Sequence, residues 1–472
     1  MPDNLVIKSK QGVVRNSTLF LAGFAITFLP RLLTSFGVPK AINFAHFIII
    51  PMVVIIAILT SKVKERKQIS IIWELLFGIG LLLAIITAST LVNQAGIINL
   101  CLSFILLVEP FIFIIAILAV PVGSHNIQII TRWLLGFALF NLFLALAQSI
   151  LLPLGIYPRP VGGTMQDNIV GVFGGGGGSA GNYISCTISL YFALYFLNGF
   201  KTVPAWIKVS TLLASVYQIQ VSDSKQVLLA IFGGWFLLVI LKFKDLRKIL
   251  LYLILFILTA YVFFWAIRNV NIEFFAAFRN WIDRDIWGID GEASRIKFAA
   301  FRLIPPYYKT PLNWLFGLGP GHSASRLGGW VLRDYESMLT PLGATVHPVT
   351  ADFWQAIYSN YLPQESTIYF PMFTWVGIWG DLGFLGLGGY LYLCSIIWRR
   401  MCQDDLSKFL LLSTAIFGFI LTQMEEPGQV LTVACLIGLQ WHQRQIKWRS
   451  QHPMVNNSPQ SQFNVKISKI KE

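Results

Sequence analysis

Charged side chains are scarce in this sequence. Asp, Glu, Lys and Arg together make up 12% of the 472 residues, whereas hydrophobic residues make up 55%. Ordinary soluble domains carry about 25% charged residues, so the composition argues against a soluble domain. The mean hydropathy of +0.65 supports the same conclusion. We therefore expect an all-α polytopic membrane protein.

Cysteine is also sparse, and its spacing is uninformative for metal binding. The sequence has five cysteines, and no pair has metal-ligand spacing: Cys101, Cys186, Cys394, Cys402 and Cys435. Four of them lie within apolar segments. This pattern argues against a disulfide framework and against a zinc site, and we expect neither a metal nor another cofactor.

Long apolar runs dominate the rest of the chain. They lie near residues 17–30, 43–60, 71–89, 97–120, 133–153, 182–199, 207–221, 227–241, 249–267, 372–397, 409–423 and 429–441. Because about 20 apolar residues span a bilayer, these runs predict about twelve transmembrane helices, the first of them a retained signal anchor. The predicted organisation is nine helices over 1–268, a large loop over 269–371, three helices over 372–441 and a basic tail over 442–472.

Positive charge is concentrated in short connections between the apolar runs. Lys and Arg near helix ends are retained on the cytoplasmic side, and with twelve helices the basic clusters share one face: 62–67, 242–248, 399–400 and 442–449. We therefore predict that both termini are cytoplasmic. The net charge of +14 is explained by orientation and by contact with anionic lipid, and we expect no nucleic-acid partner.

This orientation places the segment 269–371 on the outer face. It is too long for a simple connection, so we predict a partly helical cap over the membrane. Within it, Asp290 as N-cap and Pro305 as terminator predict a helix over 291–304. On such a helix, Arg295 and Arg302 lie about 10 Å apart along one surface. Alternatively, Arg295 pairs with Glu292, and Arg302 extends toward lipid headgroups.

Three motifs follow this helix in a characteristic order. "NWLFGLGPGHSA" occupies 313–324, "ESTIYF" begins at 365, and "WVGIWGDLGFLGLGGYLYL" enters the tenth predicted helix at 375. A large outer loop, an arginine-bearing helix, a G-x-G-x-G turn and an acidic, glycine-rich helix entry resemble the O-antigen ligase and Wzy-type O-antigen polymerase family. The resemblance covers roughly residues 160–400.

The resemblance implies a metal-independent, inverting membrane glycosyltransferase in the bacterial inner membrane. Such an enzyme polymerises polyprenyl-diphosphate-linked oligosaccharide units on the outer face, as in O-antigen, lipopolysaccharide or exopolysaccharide biosynthesis. Its partners are the lipid-linked glycan donor, a glycan acceptor, the bilayer, and a chain-length regulator and flippase. One alternative is a ligase that transfers glycan to a lipid or protein acceptor. Another is a transporter or flippase for lipid-linked glycan.

The resemblance also implies residues that bind the diphosphate. Arg295 matches the family's arginine upstream of the G-x-G turn, and Arg302 is a second candidate. The family's Ser-Arg pair is replaced here by Ser224 and Lys225. Lys225 is a third candidate because it supplies positive charge, although lysine lacks the forked guanidinium that binds phosphate in a bidentate way; alternatively, Lys225 extends toward the membrane interface. Arg159, beside the glycine-rich loop at 164–185, is a further candidate.

The general base is less well defined. The family's histidine shortly before the G-x-x-G helix is absent, since His322 and His347 lie elsewhere; this absence favours a polymerase over a ligase. Glu365 precedes the helix and is our candidate base, although it can instead cap the helix that starts at Ser366 or pair with a loop arginine.

Ionisable residues within apolar runs are costly to bury. Asp381 matches the family's acidic position before a glycine. Glu109 either lines a polar cavity or braces a neighbouring helix, and we expect Glu74 to be interfacial.

Overall fold

A computed structural model describes residues 16–451, except for 62, 64, 123–124, 158–163, 175–180, 201–202, 243–245, 272–278, 280–283, 285 and 289. Within the described residues the regular elements are helices, and no strand occurs. The long helices are α1 (Asn16–Thr34), α2 (His46–Leu59), α3 (Arg66–Asn93), α4 (Ile97–Leu118), α5 (His125–Leu151), α6 (Gly181–Gly199), α7 (Ala205–Val221), α8 (Lys225–Lys242), α9 (Leu246–Asn269), α10 (Thr374–Arg400), α11 (Asp405–Ile420) and α12 (Pro427–Gln451).

Each predicted apolar run coincides with one of these helices. Among the described residues, eight helical stretches are long and apolar enough to cross a membrane: Ser17–Thr34, Lys40–Leu59, Arg66–Asn93, Ile97–Leu118, Ile127–Leu151, Lys225–Lys242, Leu250–Asn269 and Thr367–Arg400. The prediction of an all-α membrane protein is confirmed at this level. The count of twelve spans stays a prediction.

Burial separates an interior from a lipid-facing surface. In α12 every residue from Pro427 to Leu439 is buried, so this helix occupies the interior of the bundle. By contrast, α9 exposes large apolar side chains such as Ile254 and Tyr261, as expected for a helix in contact with lipid. Small residues allow close helix contacts: a Cβ on Gly234 of α8 would lie 2.7 Å from the Cα of Ser413 in α11.

The basic clusters meet at one end of the bundle. Arg400 of α10 pairs with Glu74 of α3 at 3.1 Å, which agrees with an interfacial position for Glu74. Arg444 of α12 pairs with Asp404 at 3.4 Å, and Lys242 of α8 pairs with Asp405. The predicted short basic connections therefore lie together, although their cytoplasmic location stays a prediction.

The segment between α9 and α10 covers the opposite end. It contains short helices at Glu292–Lys297, Ala300–Leu303, Pro311–Phe316, Leu332–Asp334, Glu336–Leu339, Pro348–Tyr358 and Leu362–Glu365. We call residues 292–369 the outer segment.

Side chains of the bundle bind the outer segment's backbone. Asn99 of α4 donates to the carbonyls of Pro320 and Thr345, each at 2.9 Å. Asp381 of α10 accepts from the Gly321 N–H at 2.8 Å. The outer segment is thus fastened to α4, which is distant from it in sequence, and to α10, which follows it in the chain.

The predicted helix over 291–304 is wrong in its continuity. It is divided into Glu292–Lys297 and Ala300–Leu303, and the first begins after Gly291 rather than Asp290. The two parts bury their apolar residues in different clusters: Ile296 packs with the helical bundle, whereas Ala300 packs with Phe353 of the outer segment. A straight helix cannot serve both clusters, so the chain bends between them.

Candidate functional site

A polar cavity of about 410 Å³ lies between the outer segment and the bundle. It is lined by the end of α1, the connection from α1 to α2 with the start of α2, residues 326–335 of the outer segment, and the connection from α11 to α12, together with Leu106, Ile184 and Thr367. Its ionisable lining residues are Arg31, Lys40, His46, Arg326, Arg333, Asp334, Tyr335 and Glu426. The cavity is at the end of the bundle opposite the basic clusters.

Two arginines and one glutamate form its centre. Nη2 of Arg31 lies 2.6 Å from Oε1 of Glu426, and Arg326 pairs with the other carboxylate oxygen. The side chain of Glu426 is only 1% exposed. Guanidinium groups keep their charge and bind phosphate oxygens as a fork, so the two arginines present a fixed cationic surface.

The lining carries a surplus of positive charge. Arg31, Lys40, Arg326 and Arg333 are cationic, whereas only Asp334 and Glu426 of the lining are anionic. Arg333 is paired with Asp334 at 2.6 Å. Among the described residues, no carboxylate pairs with Lys40. The cavity is therefore electrostatically suited to an anion.

A buried amide also faces this cavity without a partner. Gln423 lines the cavity and is 3% exposed. Within the described part of the chain, neither its amide oxygen nor its amide nitrogen has a hydrogen-bond partner. Since buried polar groups are normally satisfied, this amide indicates a polar occupant of the cavity.

One histidine of the lining is held by a carboxylate. Nδ1 of His46 lies 2.7 Å from Oε1 of Glu109. Glu109 belongs to α4 and is fully buried. It does not line the cavity itself, so of the two roles predicted for it the structure shows contact with a neighbouring helix.

The predicted arginine pair lies outside the lining of this cavity. The side chain of Arg295 is 64% exposed and lies 3.9 Å from Asp290. Arg302 donates to the backbone carbonyl of Arg295 at 3.0 Å. The alternative pairing of Arg295 with Glu292 is not seen; Glu292 instead accepts from Asn360 at 2.9 Å.

The predicted base and the predicted lysine are both in ion pairs. Glu365 pairs with Arg284, and both side chains are about two-fifths exposed; the alternative of pairing with a loop arginine is thus what the structure shows. Lys225 lies 2.5 Å from Asp223. Neither Glu365 nor Lys225 lines the cavity, although Thr367, two residues after Glu365, does.

The remaining predicted residues have structural partners or lie outside the described residues. Asp381 accepts from Ser323 at 2.6 Å and holds the G-x-G-x-G turn. His322 bonds the Leu318 carbonyl at 2.9 Å and Thr345 at 2.8 Å. Burial lowers the pKa of His347 to about 4, so it is neutral at pH 7. Arg159 lies outside the described residues.

A buried lysine links the outer segment to the bundle. Lys297 is 6% exposed and donates to the carbonyls of Phe370 and Ile420. Burial lowers its pKa to about 7, and among the described residues no carboxylate pairs with it. This lysine closes the end of α11, whose last carbonyls lack partners within the helix.

An apolar groove lies behind the cavity. It has a volume of about 340 Å³ and is lined by Trp375 and the Tyr390–Trp398 stretch of α10, against α4, α11 and α12. The backbone of α10 is interrupted at Gly383, which has φ +64° and ψ −162°, and the rings of Trp375 and Tyr390 lie 6.0 Å apart. Met424 lines the groove, while its neighbour Gln423 lines the cavity. The two spaces are therefore separated by one short connection.

The residues at the centre of the cavity are not among the site residues predicted from the sequence. Arg31 directly follows an apolar run, where a basic residue is normally interpreted as a helix flank. Glu426 stands with Glu425 between two apolar runs. Two adjacent carboxylates in such a connection are the signal that could have been used.

In the comparisons with known proteins, no protein-family model matches this sequence, and no curated protein matches it.

Proposed function

We propose that this protein is a membrane glycosyltransferase that polymerises polyprenyl-diphosphate-linked oligosaccharide units. In this proposal twelve helices cross the bacterial inner membrane, both termini are cytoplasmic, and the outer segment is a periplasmic cap. The observation that carries the proposal is the cationic cavity around Arg31 and Arg326. Its cationic side chains outnumber the anionic ones of the lining, which suits the negative charge of a diphosphate diester.

The chemistry of the leaving group explains why arginines suit this role. When the bond between the anomeric carbon and the diphosphate breaks, negative charge builds up on the diphosphate oxygens. Positioned donors at that place lower the barrier, because they stabilise the transition state more than the ground state. In this role Arg31 and Arg326 bind the leaving diphosphate, and Gln423 supplies an amide donor to the same anion.

The apolar groove supports a lipid-linked substrate over a water-soluble one. A hydrocarbon segment bound in this groove, between Trp375 and the Tyr390–Trp398 stretch, lies in an apolar environment, while the charged head group reaches the cavity around Met424. A nucleotide-sugar donor has no use for such a groove.

The test is glycan profiling in a deletion strain that is complemented with single variants at checked membrane abundance. We expect deletion to leave short, lipid-linked units in place of long polysaccharide. We expect Arg326→Gln to have the same effect, since it removes one of the two arginines that bind the diphosphate. Unchanged glycans in the deletion strain would refute the proposal. Glycan trapped on the cytoplasmic leaflet would favour a transporter.

Arg295→Gln is the matched arginine variant of the outer segment. Loss of long glycan with Arg326→Gln but not with Arg295→Gln supports the cavity as the diphosphate site. The reverse result moves that site to the exposed surface of Arg295 and Arg302, as the family resemblance implies.

A further inference from the structure

The cavity contains one side chain with an unused proton-accepting atom. His46 is 7% exposed and bonds Glu109 through Nδ1. Within the described residues no group bonds its Nε2, and this atom is not among the enclosed polar atoms that lack a partner. Because Nδ1 faces a carboxylate, the proton of a neutral imidazole is placed on Nδ1. The lone pair of Nε2 is then available to the cavity.

The carboxylates of the lining are already engaged. Glu426 is held by two arginines, and Asp334 is held by Arg333. Lys40 is a cation and accepts no proton, and burial raises the pKa of Tyr335, so that its phenol stays protonated. His46 is thus the lining residue best placed to receive one.

We propose that His46 is the general base of the glycosyl transfer, with Glu109 as its positioning residue. This inference rests on the proposed function. The hydroxyl oxygen of the acceptor attacks the anomeric carbon, and the bond from that carbon to the diphosphate breaks. The diphosphate leaves with the electron pair beside Arg31 and Arg326. The hydroxyl proton passes to Nε2 of His46 and is later released to water.

The proposed positioning role explains why a carboxylate is buried at Glu109. A fully buried carboxylate in a helix that crosses the membrane is expensive, and its second oxygen has no partner among the described residues. An imidazolium formed at His46 pairs with this carboxylate, so the transfer of the proton neutralises a buried negative charge. The same geometry stabilises the imidazolium in other His–carboxylate pairs.

The experiment measures transfer in membranes that contain the lipid-linked oligosaccharide accumulated by the deletion strain. We expect His46→Gln to lower kcat at least about 100-fold, as is usual for loss of a general base, with KM little changed. His125→Gln is the matched control, because His125 is exposed at the start of α5. Inorganic pyrophosphate should raise the Tm of the detergent-purified His46→Gln protein as much as it raises the Tm of wild type, since Arg31 and Arg326 remain.

A double variant separates catalysis from a structural role. Because Glu109 acts through His46 in this proposal, Glu109→Gln should lower kcat in the wild-type background with KM little changed, and should have no further effect in the His46→Gln background. A purely structural role of Glu109 would lower the abundance of the folded protein in both backgrounds.

Two results overturn the inference. A wild-type kcat in His46→Gln at normal abundance refutes it while the proposed function stands. A wild-type kcat in Glu109→Gln, or a further fall in kcat when Glu109→Gln is combined with His46→Gln, refutes the positioning role. If the deletion strain has unchanged glycans, the proposed function fails and this inference fails with it.

Discussion

Replacing Glu426 with Gln tests the electrostatic design of the cavity. At the 2.6 Å separation from Arg31 and an effective dielectric constant of 20, one ion pair contributes about 6 kcal/mol of Coulomb attraction. Desolvation offsets most of this attraction, yet removal of one member of a buried pair typically costs about 3–5 kcal/mol, because the remaining charge loses its counter-ion. Glu426→Gln takes this carboxylate away from both Arg31 and Arg326.

The assay is thermal melting of the detergent-purified protein, with and without inorganic pyrophosphate. An unfolding entropy of about 2.1 cal/mol/K per residue makes 1 kcal/mol worth roughly 1 °C in Tm for a chain of this length. We expect Glu426→Gln to melt roughly 3–5 °C below wild type. Pyrophosphate should then stabilise the variant more than it stabilises wild type, because an anion that binds only the folded state raises Tm and no longer competes with Glu426.

The control is Glu336→Gln, which removes an exposed carboxylate of the same outer segment. It should leave both Tm and the pyrophosphate shift unchanged. If Glu426→Gln melts like wild type and shows the same pyrophosphate shift, the reasoning about the two arginines is refuted.

Three further predictions concern other parts of the molecule. Burial lowers the pKa of Lys297 from 10.5 to about 7, so between these pH values the unfolded chain binds more protons than the folded chain. Wild-type stability should therefore rise with pH in this window, by up to about 1.4 kcal/mol per pH unit. Lys297→Met should lack this rise when melting is measured as a function of pH. Gly317 has φ +71°, and a Cβ there would lie 2.3 Å from the Asp381 carbonyl carbon, so Gly317→Ala should destabilise by at least about 1–3 kcal/mol; an unchanged Tm would contradict this. Ala415→Trp fills the apolar groove and should slow transfer in membranes while the pyrophosphate melting shift stays; equal transfer rates would exclude a lipid chain from the groove.

The positions of the long helices could be predicted from sequence because they depend on local information. A run such as 227–241 specifies its own helix, since the bilayer leaves a backbone few other ways to satisfy its hydrogen bonds. The structure extends that run by only one or two residues at each end, to Lys225–Lys242. Apolar length and flanking charge are sufficient for this part of the fold.

The cavity could not be predicted in the same way. Arg31, Arg326 and Glu426 come from three distant parts of the chain, and no local pattern shows that they meet. The helix prediction over 291–304 failed for a related reason: Ile296 and Ala300 pack in different clusters, and this tertiary requirement outweighs the local helical pattern. Only the three-dimensional arrangement joins these residues.

The hydrogen bonds from Asn99 and Asp381 to the outer segment have a consequence for engineering. Backbone groups of Pro320, Gly321 and Thr345 depend on side chains of α4 and α10, so the excised segment would lose partners that it cannot replace. It is not a module that can be grafted between related proteins on its own. A functional exchange must carry the beginning of α4 and the entrance of α10 along with it.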